Sequence, residues 1–226
     1  MKGEREPVIT IDGPAGAGKT TAARALARRL GYRLIDTGAM YRALAWSLVQ
    51  KGLHEVEDTP ALRQHLASVK IELRDSHVHV NDQDVTDQIR TREIADFTSR
   101  LSALAPVREK MVPLQRQVAA RGGAILEGRD TGTVVCPDAE VKFYLDADLE
   151  ERARRRQAEF LAHGVSVDLQ VAVGELGTRD LQDKTRALAP LTKAPDAVEI
   201  DTTDLTVEQV VERMVREIEQ RCCTRS

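Results

Sequence analysis

Residues 13–20 read Gly13-Pro14-Ala15-Gly16-Ala17-Gly18-Lys19-Thr20 and satisfy G-x-x-x-x-G-K-[ST] in full. Glycine lets the backbone turn through positive φ and approach an anion closely. Successive N–H groups then point inward and cradle phosphate oxygens at the positive end of the following helix. Lys19 supplies a charge for the outer phosphates, and the Thr20 hydroxyl can reach a Mg2+ ion. A nucleoside triphosphate site over Gly13 to Thr21 is the first expectation. The alternative, a Gly-rich turn that merely precedes a helix, fits the context less well. An apolar run from Val8 to Ile11 comes before the loop, and an Ala- and Leu-rich stretch from Thr20 to Leu30 comes after it.

Charged groups recur beyond the loop. Asp36-Thr37-Gly38-Ala39-Met40-Tyr41-Arg42 and Glu127-Gly128-Arg129-Asp130-Thr131-Gly132-Thr133 each follow a short apolar run, and Arg179 and Arg186 lie later in the chain. The loop already handles one nucleotide. Arg42, Arg129, Arg179 and Arg186 therefore suggest a second anion, because the guanidinium fork matches phosphate oxygens. Two phosphorylated substrates facing each other mean phosphoryl transfer, which needs positioning and charge neutralisation more than a covalent nucleophile. Arg152, Arg155 and Arg156 fall at i, i+3, i+4 and share one helix face. Taken alone, that face reads as a solvated one paired with Glu151 or Glu159. The stretch from Arg152 to Arg186 has the length of a helical hairpin that can close over the transferring group and exclude water.

These residues need strand ends to hold them. Strands are expected at Val8–Ile11, Tyr32–Ile35, Ala124–Leu126, Val141–Leu145 and Ala197–Ile200. Helical patterns alternate with them: Thr20–Leu30 with Gly31 as cap, Ala39–Lys51 stopped by Gly52, and Asp58–Ser68. Further helices are expected over Thr91–Arg121, bent or broken near Ala105-Pro106 and Pro113, then over Asp148–His163, Asp168–Gly177 and Val207–Gln220. The fold class is α/β, a three-layer core around a five-stranded parallel sheet, with ligands at the carboxyl ends of its strands. One region breaks the alternation. Val69–Leu73 and His77–Val80 have period two around a turn at Asp75-Ser76, and Asp84–Thr86 pairs briefly, so a small antiparallel insert is expected. His77 and His79 share a strand face; with no third ligand, a solvated face explains them better than a metal. Trp46 reads as core packing rather than a stacking platform.

Composition sets the outer limits. The 226 residues suit one domain with a small insertion, and 42% hydrophobic residues can fill its core. Charged residues reach 31% but are mixed in sign, and a net charge of -3 argues against nucleic acid as the main partner. No apolar run is long enough to cross a bilayer. Met1–Pro7 is charged and lacks an apolar signal region, so a cytoplasmic protein is expected. Cys136, Cys222 and Cys223 have no partners at metal-ligand spacing and read as reduced thiols.

With these segments in hand, the chain resembles the bacterial cytidylate kinases, of the nucleoside monophosphate kinase group. The likeness is carried by Thr10 to Lys19, Asp36 to Arg42, Glu127 to Val135 followed by Pro137-Asp138-Ala139, and Arg179-Asp180 through Asp183 to Arg186 with Ala189-Pro190-Leu191. It covers nearly the whole chain, with two departures: Lys184 in the last segment, and Thr37 where many relatives have Ser. The resemblance implies transfer of the γ-phosphate of ATP to CMP or dCMP with Mg2+, by a monomer. It implies a core over 7–38, 122–150 and 187–221, a monophosphate-binding region over 39–121 with its β-containing insert at about 69–90, and a lid at about 151–186. ATP falls to Gly13, Pro14, Ala15, Gly16, Ala17, Gly18, Lys19, Thr20 and Thr21, with Thr20 also toward the metal. The acceptor falls to Thr37, Tyr41, Arg42, Ser99, Arg108, Arg129, Asp130, Arg179, Asp183 and Arg186. Among these, Arg42 and Arg129 hold its phosphate, Ser99 and Arg108 read the cytosine edge, Asp130 helps fix the base, and Asp183 meets the sugar hydroxyls. Lys19, Arg129, Arg155 and Arg186 are the catalytic candidates, and the choice among Arg152, Arg155 and Arg156 stays open. No general base is assigned, because an acceptor phosphate oxygen is already ionised at neutral pH.

Three rivals remain at this point. A kinase of the same core acting on UMP or AMP differs only in its acceptor. A GTP-hydrolysing switch needs an Asn-Lys-x-Asp segment, which is absent. A non-catalytic nucleotide-binding module would tolerate loss of Lys19.

Overall fold

The computed structural model describes residues 6–74, 77–162 and 164–223. In chain order its elements are β1 (Val8–Asp12), α1 (Lys19–Leu30), β2 (Arg33–Asp36), α2 (Thr37–Val49), α3 (Pro60–Ser68), β3 (Ile71–Arg74), β4 (His77–Val80) and β5 (Gln83–Asp84). Next come α4 (Arg92–Leu101), α5 (Ala105–Ala119), β6 (Ala124–Gly128), β7 (Val141–Asp146), α6 (Leu149–Ala162), α7 (Leu169–Thr185), β8 (Val198–Asp201) and α8 (Val207–Cys223).

All five residues of β1 are buried, as a central parallel strand requires when helices cover both faces. The sheet runs β2-β6-β1-β7-β8, and every neighbour pair is parallel. Side chains of β1 alternate between two cores. Ile9 and Ile11 pack with Ala22 and Leu26 of α1 and Met214 of α8. Val8 joins Met40 and Leu44 of α2 and Met111 of α5 on the other face. Three layers follow, as the βα alternation predicts. The parallel register also aligns carboxyl ends: Asp12 lies opposite Gly128, and Asp36 opposite Glu127. The loops that follow these strands therefore share one edge of the sheet.

The insert is a three-stranded antiparallel sheet, β3-β4-β5. Ile71 opposes Val80 and Leu73 opposes Val78, turning one apolar face toward the α2 side of the core. His77 and His79 take the opposite face, with Glu72 and Arg74 across from them; His77 is exposed, as the solvated reading expects, while His79 is half-buried with its Nδ1 enclosed and without a partner. Trp46 packs half-buried against the same core. The expected turn at Asp75-Ser76 and the helix end at His163 lie outside the described residues.

Two local expectations need correction. Pro113 does not break α5, which runs through it. Pro113 and Glu109 are both exposed, so the carbonyl that loses its helical donor can be solvated. The helix from Asp168 does not end near Gly177. Instead α7 continues to Thr185, because Leu176, Asp180 and Asp183 are buried along it and outweigh the weak propensity of Gly174 and Gly177. After β6, Thr131–Val135 forms a π-helical turn. No helix of the described residues is long and apolar enough to cross a membrane.

Candidate active site

The glycine-rich loop is built by close packing. Gly13 has φ 148°, and a Cβ there would sit 1.9 Å from the carbonyl oxygen of Leu145 at the end of β7. Gly16 has φ 78°, with room for a Cβ only 2.9 Å from Cβ of Arg152. Both positions exclude any side chain, which brings the loop against β7 and α6 and leaves its open side for an anion. Lys19 opens α1 and is buried; its Nζ donates to the carbonyl of Pro14 at 2.5 Å. Burial, and after it the Arg129 charge, pull the Lys19 pKa down, against Glu127 and Asp12. A cleft of ≈ 340 Å³ opens over Gly16 and Gly18–Thr21, walled by Arg155, Ala158 and Glu159 of α6.

Asp12, the last residue of β1, organises the neighbouring strand end. Its Oδ1 accepts from the Thr131 N–H and hydroxyl, each at 2.8 Å, and its Oδ2 accepts from the Gly132 N–H at 2.7 Å. That carboxylate holds the start of the π-helical turn, and so fixes Arg129 and Asp130 just before it. Gly128 is confined as well, since a Cβ there would lie 2.6 Å from Thr37 Oγ1.

A second cleft, ≈ 170 Å³, shares Gly16, Lys19, Thr20 and Glu159 with the first. Lys19, Arg42, Arg129, Arg156 and Arg179 all line it. Arg179 is the most constrained. Burial first, then Arg129, Arg156 and Arg42, bring its pKa down to about 10, against the pull of Asp183. Its buried Nε has no partner within the protein. Arg129 donates through Nε to Asp183 at 2.9 Å, and Arg42 pairs with Asp36 at 3.2 Å. Burial alone would raise Asp183, but Arg129, Arg179 and Arg186 hold it below its ordinary value.

Next to this cluster, Asp130 is clamped between Arg108 and Arg186, the latter at 3.3 Å. Arg186 also donates through Nε to the Ala189 carbonyl at 2.6 Å. The Tyr41 hydroxyl is buried without a partner, and burial pushes it up to about 12 among Arg108, Asp130 and Arg186. Ser99 of α4 reaches across to Gln182 of α7, its hydroxyl donating to Oε1 at 3.4 Å. Arg42, Arg108, Arg129, Asp130, Arg179, Asp183 and Arg186 are thus brought into one connected region.

Three expected residues are engaged otherwise. The Thr37 hydroxyl donates to the Glu127 carbonyl at 2.6 Å and ties α2 to β6. Arg155 edges the first cleft, but its guanidinium binds the Thr202 hydroxyl at 3.0 Å and carbonyl at 2.7 Å, and the Glu151 carboxylate at 3.1 Å. Arg152 is buried on Asp180, Ala15 and Ala147. Of the three arginines on that helix, Arg156 is the one that faces the shared cleft, paired with Glu159 at 3.1 Å and stacked on Phe160. Helical spacing put all three on one face; only their partners separate them.

Sequence reasoning missed two carboxylates, Asp12 and Glu127. Each ends an apolar strand run at the sheet's carboxyl edge, and that position was the available signal. Glu127 is buried with Oε1 unpartnered. Burial first and Asp36 second raise its pKa, opposed by Lys19 and a hydrogen bond from Thr20. Among the described residues no group of three or more His, Cys, Asp or Glu side chains could hold a metal. Mg2+ does not need one, because it keeps several waters and takes one or two carboxylates plus substrate phosphates. An orphaned carboxylate oxygen beside the Thr20 hydroxyl is a donor set of that kind.

Comparison with known proteins gives a consistent result. A sequence model described as cytidylate kinase matches residues 9–220. A cytidylate kinase of Geobacillus thermodenitrificans is 49% identical over 222 residues, covering 96% of this chain and 99% of that one. One from Citrifermentans bemidjiense is 47% identical over 222 residues, with 96% and 95% covered. Among solved structures, TT1252 from Thermus thermophilus superposes with TM-score 0.51 at 18% identity, covering 95% of this chain and 99% of that one, a likeness of fold.

Proposed function

The chain belongs to the cytidylate kinase family, and we propose that the arginine-lined cleft is where it transfers the γ-phosphate of ATP to CMP or dCMP. One observation carries the assignment to that cleft. Five cationic side chains, Lys19, Arg42, Arg129, Arg156 and Arg179, meet beside the phosphate loop with too few carboxylates to neutralise them. The buried Nε of Arg179 has no partner within the protein, so the cluster is suited to anions, and two nucleotides bring them.

In this reading Gly13 to Thr21 hold the donor phosphates and Lys19 swings from the Pro14 carbonyl to the β,γ-phosphates. Arg42, Arg129 and Arg179 hold the acceptor phosphate, with Arg156 closing from α6 and Arg186 acting through Asp130. An ionised acceptor oxygen attacks the γ-phosphorus in line. The new P–O bond forms as the bond to the β-phosphate oxygen breaks, and ADP leaves with CDP or dCDP formed. Arginines around the equatorial oxygens spread the charge, and no general base is needed. Thr20 and Glu127 would hold Mg2+, whose chemistry is to neutralise β- and γ-oxygen charge. The base lies toward Ser99, Arg108, Asp130 and Tyr41. Cytosine offers O2 and N3 as acceptors and N4 as donor, which suits an arginine, a hydroxyl and a carboxylate. Asp183 receives the sugar hydroxyls. Residues 39–121 form the acceptor region and 151–186 the lid. The acting form is a monomer in the cytoplasm, with small nucleotides rather than nucleic acid as partners.

The test is a coupled assay with CMP, dCMP, UMP and AMP at fixed ATP and Mg2+. CMP and dCMP should dominate. Efficient AMP or UMP turnover with none on CMP would sink the reading.

A further inference from the structure

Arg152 and Asp180 stand outside the nucleotide clefts, yet they join the two sides of the site. Arg152 Nη1 donates at 3.1 Å to the carbonyl of Ala15, inside the phosphate loop. The same nitrogen donates at 2.6 Å to Asp180 Oδ2 on α7, and Nε donates at 2.9 Å to Ala147 before α6. Both side chains are nine-tenths or more buried. The contact is not confined to one ion pair. Ala15 packs with Ala153 of α6 and Ala172 and Leu176 of α7. Gly16 abuts the Arg152 backbone so closely that no Cβ fits. On α7, Asp180 follows Arg179, which lines the acceptor cleft, and precedes Asp183 by one turn, which binds Arg129.

We propose that Asp180, acting through Arg152, is a positioning residue that links the conformation of the phosphate loop to the placement of Arg179 and Asp183. When donor phosphates order the loop, the Ala15 carbonyl is fixed, and Arg152 and Asp180 hold α7 in the register that receives the acceptor. Binding of the two nucleotides is then cooperative, and by linkage each raises the other's affinity by the same factor. The guanidinium is suited to this because its rigid fork bonds two partners in fixed directions, which an ammonium does not. This inference rests on the donor and acceptor assignment above.

The experiment measures dissociation constants of a non-hydrolysable ATP analogue with and without saturating CMP, and of CMP with and without the analogue. The native enzyme should show a coupling factor in the range of roughly 5- to 150-fold that linked sites display. In Asp180→Asn it should fall below about threefold, while each nucleotide alone still binds. A buried unpaired Arg152 can cost folding, so the double variant Arg152→Met with Asp180→Leu is made in parallel. A buried ion pair replaced by apolar residues of similar volume usually keeps the fold. It should lose the coupling in the same way. A merely structural role would lower the melting temperature and leave the coupling factor unchanged. That result, or a native factor of one, overturns the proposal. Failure of the native enzyme to phosphorylate CMP would instead overturn the functional reading.

Discussion

Arg129 is the side chain on which the acceptor assignment turns. It lines the shared cleft opposite the loop residues Gly16 and Lys19, and its Nε reaches Asp183 of α7. Arg129→Ala should cut kcat by about 10²- to 10³-fold, the usual cost of losing one donor to a developing charge. ATP-analogue affinity, read by titration, should change little; a loss of analogue binding would mean that the acceptor side has been misplaced. Glu127 makes a second prediction through its raised pKa. A carboxyl whose folded pKa exceeds its unfolded value binds more protons when folded. The Glu127 contribution to unliganded stability therefore falls as pH rises from its ordinary value of 4.5 through the raised one. Glu127→Gln should flatten that part of the melting-temperature profile. In the same variant the KM for Mg2+ should rise.

Elements were the most legible level. Apolar runs bounded by Gly or charge gave all five parallel strands to within a residue or two; burial of nearly every residue in the central β1, β6 and β7 makes their runs the clearest. The π-helical turn was not legible: it exists because Asp12, from another strand, binds its N–H groups, and no local pattern encodes that. The continuity of α7 through Gly174 and Gly177 has the same origin, in burial of Asp180 and Asp183. Arg155 and Arg156 are adjacent in sequence and differ only in what their neighbours offer, so spacing could not choose between them. The phosphate loop allows a test at this scale. Gly16→Ala combines a left-handed backbone with a 2.9 Å approach to Arg152. It should destabilise the fold by about 1–3 kcal/mol from the backbone conformation alone. Thermal unfolding measures it, and an unchanged melting temperature would show that the loop and α6 can separate freely.

At the scale of the molecule, α4 and α7 meet through Ser99 with Gln182 and through an ion pair between Arg92 and Glu175. Arg92 is more than half exposed, and Glu175 more than a third. Such a pair contributes about 0–1 kcal/mol and is screened by salt. Arg92→Ala should therefore leave thermal stability almost unchanged, and a large loss would reveal a role beyond surface pairing. Donor and acceptor geometry has a firmer source. Asp12 is bonded covalently to Gly13, where the donor loop begins, and its carboxylate grips Thr131, two residues beyond Arg129. On the proposed reading, both substrates are thus measured from one datum. In a machine whose tolerances accumulate link by link, the shortest chain of links sets the error, and here it runs through a single residue of the central strand.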